Sequence, residues 1–146
     1  MNDKYFLRLA IKKSLESFEL GAFPAGALVV KDNKIISEAI SSAYPGYAHA
    51  DSKAIAGAFN TTNSRLESAT LYCSMESCLM CISTAFWAGI ERICFAIKKD
   101  QLNPNYFETT ESNEGWIKRF SKKIELIHIK ELEKEALAVV KAWEKR

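Results

Sequence analysis

Apolar residues recur at two spacings along this chain, and the spacing separates predicted helices from predicted strands. Steps of three and four residues predict amphipathic helices, whereas short continuous or alternating apolar runs predict strands. The predicted helices cover residues 4–20, 49–59, 78–88, 113–120 and 131–145, and the predicted strands cover residues 26–31, 34–40, 70–75, 93–97 and 124–129. This mixture of the two element types is typical of an α/β protein.

Two links between elements predict how the strands pair. Asp32 and Asn33 join the first two strands, and both residue types tolerate the positive φ of a tight hairpin turn. Residues 98–123 separate the fourth strand from the fifth and contain a predicted helix, and a crossover of that length suits parallel neighbours. We therefore predict a single three-layer α-β-α domain over residues 1–146, with a mixed five-stranded sheet whose last two strands are parallel.

Polar residues predict where the helices begin and end. Asp3 and Ser77 are the predicted N-caps of the first and third helices, because their side-chain oxygens accept hydrogen bonds from free backbone N–H groups. The second helix is predicted to end at Phe59, where the polar run Asn60-Thr61-Thr62-Asn63 begins.

Composition and charge limit the possible functions. Hydrophobic residues make up 48% of the 146 residues and charged residues 26%, which is ordinary for a globular protein. No apolar run approaches the ~18 residues of a membrane span, and basic residues interrupt the N-terminal segment, so we predict a cytoplasmic protein with reduced cysteines and no membrane association. The formal net charge of +2 favours a small-molecule substrate over a nucleic acid.

Three side chains form a candidate metal site. His49, Cys78 and Cys81 offer one imidazole and two thiolates, which suit three corners of a tetrahedral zinc ion and leave the fourth for water. The two cysteines are three residues apart at the predicted start of a helix, where the helix dipole favours thiolate over thiol. Asp51, two positions after the histidine, is a candidate to handle the protons of that water.

The cysteines also allow other interpretations. A C-x-x-C pair occurs in dithiol redox proteins, which likewise carry it where a strand meets a helix. An upstream His-x-acid triplet has no role in that chemistry, so the ligand set favours zinc. Cys73 and Cys94 lie in apolar strands, where a free cysteine behaves as a small hydrophobic residue.

The sequence alone does not decide the roles of some further residues. Gly26 and Ala27 have almost no side chain, so either a ligand approaches the backbone there or a helix packs over it. We interpret His128 as structural, Lys98 and Lys99 as surface charges, and Phe86 and Trp87 as core or subunit-interface residues.

Three motifs together resemble the zinc-dependent cytidine/deoxycytidylate deaminase superfamily, whose signature is H-x-E followed by P-C-x-x-C. They are Pro24-Ala25-Gly26-Ala27, His49-Ala50-Asp51 and Ser77-Cys78-Leu79-Met80-Cys81. The Leu-Met pair between the cysteines, the Ala85-Phe86-Trp87-Ala88 segment and the Trp143 helix resemble the branch of bacterial guanine deaminases and tRNA adenosine deaminases.

The resemblance implies hydrolytic deamination of an amino-substituted heterocycle by a homodimer. Zinc on His49, Cys78 and Cys81 would activate a water, and Asp51 would move the protons. Ser41 or Ser42 falls where the family carries a substrate-binding Asn. Asp100 lies near a second pocket acid of guanine deaminases, with a solvated loop residue as the alternative role.

The chain departs from the family pattern at three positions. Asp51 replaces Glu and draws the carboxylate back by roughly 1 Å, a displacement that costs on the order of a hundredfold in rate. Ser41 or Ser42 replaces the Asn, and Ser77 replaces the Pro before the first cysteine. Two hypotheses follow: a zinc aminohydrolase of a free base or nucleoside, purine and guanine-like, or a zinc protein with impaired catalysis that serves as a binding or regulatory subunit. A tRNA-editing role is disfavoured by the small net charge.

Overall fold

The computed structural model describes residues 2–146. Five helices and five strands make up the fold: α1 Asp3–Glu19, β1 Gly26–Lys31, β2 Lys34–Ile40, α2 Ala50–Thr62, β3 Thr70–Met75, α3 Leu79–Ala88, β4 Arg92–Ile97, α4 Asn113–Ile117, β5 Glu125–His128 and α5 Glu133–Lys145. Short 3-10 turns occupy Lys99–Gln101, Pro104–Tyr106 and Lys130–Leu132. Among the described residues, no helix is both long and apolar enough to cross a membrane.

The strands form one mixed sheet in the order β2-β1-β3-β4-β5. Strand β1 pairs antiparallel with β2 and with β3, whereas β3, β4 and β5 are parallel. The β1-β2 turn places Asp32 at φ 51° and Asn33 at φ 63°, the left-handed conformation that a two-residue hairpin requires. The predicted fold class, the hairpin and the parallel final pair of strands are confirmed.

Side chains alternate between the two faces of the sheet, and each face has its own helical layer. Leu71 and Ile93 point toward the face covered by α2 and α3, where Ile55 and Ile82 complete a buried cluster. Tyr72 and Cys94, the next residue along each strand, point toward the opposite face, which α1 and α5 cover. Because consecutive strand residues face opposite sides, this alternation produces the three-layer α-β-α arrangement.

The helix ends differ from the predictions by one to three residues. Helix α2 continues through the polar run to Thr62 and ends at Asn63, whose backbone takes the left-handed conformation at φ 51°. Asn2, not Asp3, caps α1, since its side chain accepts from the Tyr5 N–H. At α3 the N-cap is Cys78 rather than Ser77, whose hydroxyl bonds elsewhere. These cap and end predictions are wrong.

Gly26 lies where helix α1 packs closest to strand β1. A Cβ built there would meet the Ala10 carbonyl oxygen, and also Lys13 Cβ at 2.5 Å and the Ser14 nitrogen at 2.5 Å. Two of these neighbours are backbone atoms, which do not yield without moving the helix. The missing side chain therefore serves helix packing, one of the two roles that the sequence left open.

Adding a methyl group at this contact is expected to destabilise the fold. We expect Gly26→Ala to lower the free energy of unfolding by about 1–3 kcal/mol, the usual cost of overpacking, as measured by urea denaturation. Gly115→Ala is the matched control, because a Cβ there meets nothing within 4 Å and alanine favours the helix. Equal stability of the two variants would contradict this account of Gly26.

Candidate metal centre and pocket

The three predicted ligands converge at the carboxyl end of β3. His49 is the N-cap of α2, Cys78 is the N-cap of α3, and Cys81 lies in the first turn of α3. The two helix starts meet because α2 and α3 pack side by side on the same face of the sheet. Open α/β sheets bind ligands at the carboxyl ends of their parallel strands, and this site follows that rule.

The distances between the ligand atoms fit a zinc ion. His49 Nδ1 lies 3.4 Å from Cys78 Sγ and 3.6 Å from Cys81 Sγ. Zn–N and Zn–S bonds of about 2.0 and 2.3 Å at a tetrahedral angle separate nitrogen and sulfur by roughly 3.6 Å. The three ligand atoms all lie within 4.8 Å of one another. The donor set and its spacing therefore fit Zn²⁺.

The loop before α2 determines which histidine nitrogen faces the sulfurs. His49 Nε2 lies 2.7 Å from the Gly46 carbonyl oxygen. Because a carbonyl only accepts hydrogen bonds, Nε2 carries the proton and Nδ1 is left with a free lone pair toward Cys78 and Cys81. Ser52 fixes the turn, since its hydroxyl accepts from the His49 N–H at 3.0 Å. The imidazole is thus oriented as a ligand by its own loop.

The environment of the two thiols favours one thiolate even without a metal. A hydrogen bond from Cys81 and, after the opposing effect of burial, the close contact with His49 Nδ1 lower the pKa of Cys78 to about 5. The pKa of Cys81 is raised, because its proton is held by that hydrogen bond and because it is buried. Metal ligation requires thiolates, so Cys78 is prepared to bind a cation.

A carboxylate from a distant loop caps the helix that carries both cysteines. Glu108 accepts from the Leu79 N–H at 3.1 Å and from the Met80 N–H at 2.9 Å, one through each oxygen. These are free N–H groups at the positive end of α3, where a negative charge is stabilising. The contact ties the segment between β4 and β5 to the metal centre.

Asp51 is buried beside the ligands. Its Oδ2 accepts a hydrogen bond from the Ser77 hydroxyl at 2.6 Å. Burial raises the pKa of the Asp51 carboxyl to about 7, although the Ser77 hydrogen bond acts in the opposite direction. Asp51 also lines the same cavity as the three ligands.

That cavity has a volume of about 320 Å³ and is walled largely by apolar side chains. Phe23, Tyr106 and Trp143 form an aromatic wall, with the Phe23 ring 5.1 Å from Tyr106 and 5.2 Å from Trp143, both edge to face. A planar heterocycle fits such a wall by stacking and edge contacts. The remaining lining residues are Ala25, Ser41, Ala43, Pro45, His49, Ala50, Asp51, Met75, Glu76, Ser77, Cys78, Cys81, Asn105, Phe107 and Arg146.

The structure brings some predicted substrate contacts into the cavity and not others. Ser41 lines it, whereas the hydroxyl of Ser42 bonds the Ala48 carbonyl. Gly26 packs under α1, and Ala27 is fully buried in the core on the opposite side of β1. Asp100 is exposed in the turn after β4 and borders a second, polar hollow. Gly26, Ala27 and Asp100 are therefore absent from the cavity lining.

Sequence reasoning missed a buried polar cluster behind the site. Glu76 accepts from the Lys99 N–H at 2.9 Å and from the Asn113 N–H at 3.2 Å. Lys99 donates from Nζ to the Glu111 carbonyl at 3.1 Å and to Asn113 Oδ1 at 3.0 Å. The interpretation of Lys99 as a surface charge is wrong, since the residue is 5% exposed and burial lowers its pKa. The signal for this cluster in the sequence was Glu76, a charged residue directly before Ser77 and Cys78.

The remaining interpretations concern His128, Phe86 and Trp87. His128 bonds the Ala96 carbonyl and stacks on Phe95, away from the metal centre, as a structural residue would. Phe86 packs against the core, but Trp87 is 75% exposed and is not a core residue. Whether Trp87 lies in a subunit interface stays a prediction.

Sequence comparison agrees with the fold and the site. The sequence model for the cytidine and deoxycytidylate deaminase zinc-binding region matches residues 1–97. The chain belongs to this family, and its His/Cys/Cys cluster fits the Zn²⁺ that the family's zinc-binding region implies.

The relatives of the chain include tRNA adenosine deaminases and a guanine deaminase, and a solved guanine deaminase shares its fold. The tRNA-specific adenosine deaminase of Aquifex aeolicus is 36% identical over 100 residues, covering 66% of this chain and 66% of the relative. The guanine deaminase of Bacillus subtilis is 33% identical over 101 residues, covering 66% and 65%. The structure of guanine deaminase from Nitrosomonas europaea shares the fold, with a TM-score of 0.76, 20% identity and coverage of 99% and 84%. The chain thus spans just under two thirds of the length of these two curated relatives.

Proposed function

We propose that this protein is a zinc-dependent aminohydrolase that removes the amino group of a free nucleobase or nucleoside, with a guanine-like purine as the favoured substrate. One observation carries the proposal: a buried carboxylate, Asp51, and the three ligands His49, Cys78 and Cys81 line one cavity with an aromatic wall. This arrangement provides an electrophilic metal, a proton carrier and a surface for a flat ring in the same space.

Each group has a distinct task in this hydrolysis. Zinc bound by the three side chains supplies the Lewis acidity that activates water. Asp51 would accept the first proton of water and deliver it to a ring nitrogen as the water oxygen bonds the ring carbon. It would then accept the second proton, from the hydroxyl now on that carbon, and deliver it to the amino group, which leaves as ammonia when the C–N bond breaks and the carbonyl forms. The apolar lining excludes bulk water from the carboxylate, and Ser41 offers a hydroxyl to the substrate.

The size of the cavity and the net charge of the chain support a small substrate. A cavity of about 320 Å³ is near the lower limit of ~300 Å³ for small-molecule sites. The formal net charge of +2 is too small to attract a polyanion strongly, which argues against tRNA. We accordingly propose no nucleic-acid partner, a cytoplasmic location in keeping with four free cysteines, and a homodimer as the assembly.

A second candidate function is a binding or regulatory subunit that keeps zinc but has impaired catalysis. The observation in its favour is that Asp51 is a short carboxylate already hydrogen-bonded to Ser77. If that bond withdraws the carboxylate from the water, proton transfer fails while zinc binding persists.

Ammonia release from a panel of heterocycles decides between the aminohydrolase and the binding or regulatory subunit. The panel contains guanine, adenine, cytosine and their nucleosides, incubated with zinc-loaded protein and with Asp51→Ala as the blank. We expect release from at least one purine, above the blank. If folded, zinc-loaded protein releases no ammonia above the blank from any compound of the panel, the enzymatic proposal is overturned and the binding subunit is favoured.

A further inference from the structure

We infer that Ser77 is a positioning residue, whose hydroxyl holds the Asp51 carboxylate in the orientation that proton transfer requires. The inference rests on the proposed function and adds Ser77 to it, a serine at the position where the metal-site motif carries proline. Asp51 and Ser77 are two of the departures from the H-x-E and P-C-x-x-C pattern. The inference explains both together, because their side chains are hydrogen-bonded to each other.

The geometry of the pair is that of a strong, shielded hydrogen bond. Ser77 Oγ donates to Asp51 Oδ2 at 2.6 Å, within the range of 2.5–2.7 Å typical of a hydroxyl bonded to a carboxylate. Ser77 is 2% exposed and Asp51 is 8% exposed, so water competes little for either group. Loss of the hydroxyl would leave Oδ2 without this partner in a buried site.

A short carboxylate needs such a partner more than a long one does. The side chain of Asp51 reaches roughly 1 Å less far than a glutamate would, so it has less freedom to approach the reacting atoms. Its terminal torsion is also broad, and an unrestrained carboxylate samples many orientations about that bond. A hydrogen bond to one oxygen restricts this rotation.

Ser77 is itself fixed from behind by the buried polar cluster. Asn113 Nδ2 donates to the Ser77 carbonyl at 2.7 Å. Lys99 Nζ holds Asn113 Oδ1, and Glu76 accepts from the Asn113 N–H. These contacts lie on the backbone side of Ser77 and leave its hydroxyl free for Asp51. A serine anchored in this way transmits a defined position to the carboxylate.

A sulfur atom completes the surroundings of the hydroxyl. Cys73 Sγ lies 3.6 Å from Ser77 Oγ and 3.6 Å from the Cys94 carbonyl oxygen. The single proton of the Ser77 hydroxyl goes to Asp51, and the single S–H proton of Cys73 goes to the Cys94 carbonyl. Cys73 therefore packs against the serine oxygen and does not compete with Asp51 for its proton.

A mutant cycle tests the inference. We expect Ser77→Ala to lower kcat by about 10- to 100-fold, while KM and zinc content change less than about twofold, because the carboxylate is misplaced and the ligands are not. Ser77→Thr keeps the hydroxyl and is expected to retain most of the activity. Ser74→Ala is the matched control, because it removes another buried serine hydroxyl, which accepts from the Gly26 N–H outside the cavity.

The second half of the cycle uses the longer carboxylate. In the Asp51→Glu protein, Ser77→Ala and Ser77→Pro are expected to cost less than about threefold in kcat, because glutamate reaches the site without the serine. Ser77→Pro also removes the hydroxyl with a residue that the deaminase signature carries before the first cysteine, so it serves if the alanine variant does not fold. Equal losses in the Asp51 and Asp51→Glu proteins would overturn the inference.

A crystallographic comparison separates this inference from the proposed function. In zinc-loaded Ser77→Ala, or in Ser77→Pro, the Asp51 carboxylate is expected to rotate or to occupy more than one orientation. An unmoved, singly oriented carboxylate would refute the positioning role whether or not the protein turns over a substrate. If the carboxylate is displaced in the variant but the wild-type protein turns over no compound of the panel, the positioning role is upheld and the aminohydrolase function is rejected.

Discussion

Alanine at Cys78 or at Cys81 is expected to lower the zinc content of the purified protein from about one ion per chain to less than about a tenth, and to abolish deamination. Each substitution removes one of three protein ligands, and the remaining imidazole and thiolate do not hold the ion in competition with water. Metal analysis of dialysed protein provides the measurement, and ammonia release provides the second readout.

Cys94→Ala is the matched control for this experiment. Cys94 is also a fully buried free cysteine, but it lies on the opposite face of the sheet, in the cluster covered by α1 and α5. We expect it to keep zinc and to lose only packing energy. Wild-type protein that is folded, active and metal-free would contradict the assignment of His49, Cys78 and Cys81 as zinc ligands.

Asparagine at position 51 is expected to lower kcat by about 10²- to 10⁴-fold with zinc content unchanged, because an amide has the same shape as the carboxyl but does not exchange protons. The amide oxygen still accepts from Ser77, so the fold is expected to persist. Steady-state kinetics on the best substrate of the panel, with metal analysis alongside, measure the effect.

Asp51→Glu is the companion variant, since it keeps the acid and changes only its reach. We expect it to remain active, and its kcat relative to wild type measures how far the shorter side chain limits the rate. Undiminished activity of Asp51→Asn would exclude Asp51 as the proton carrier. Absence of activity from the wild type and from both variants would favour the non-catalytic subunit.

The order of elements and two of the strand pairings, the β1-β2 hairpin and the parallel β4-β5 pair, were predictable because they depend on local patterns. The short apolar runs of the strands, the Asp32-Asn33 turn and the length of the β4-β5 crossover are properties of short segments or of chain length. The pairing of β1 and of β4 with β3 brings together distant segments and was decided by the tertiary structure. Helix ends were less predictable. The end of α2 depended on Asn63, the last residue of the polar run, taking the left-handed conformation, a choice that the polar composition of the run did not reveal.

The metal centre was predictable from residue type and spacing, whereas most of the cavity was not. A histidine at one helix start and two cysteines three apart at another identify zinc chemistry before any coordinates exist. Gly26 and Ala27 illustrate the converse: small residues indicate a close approach, but the approaching group is helix α1 at Gly26, and Ala27 is buried in the core.

The sequence by itself determined the class of chemistry, because residue types identify the metal ligands, and it determined the layered architecture, because the spacing of apolar residues gives the order of helices and strands. Only the tertiary structure decided which side chains surround that chemistry. Phe23, Tyr106 and Trp143 come from three separate segments to form one wall, and Ser77 meets Asp51 across 26 residues of chain. Hydrogen bonds and ring contacts act over a few ångströms, so their partners are fixed by packing and not by separation along the chain.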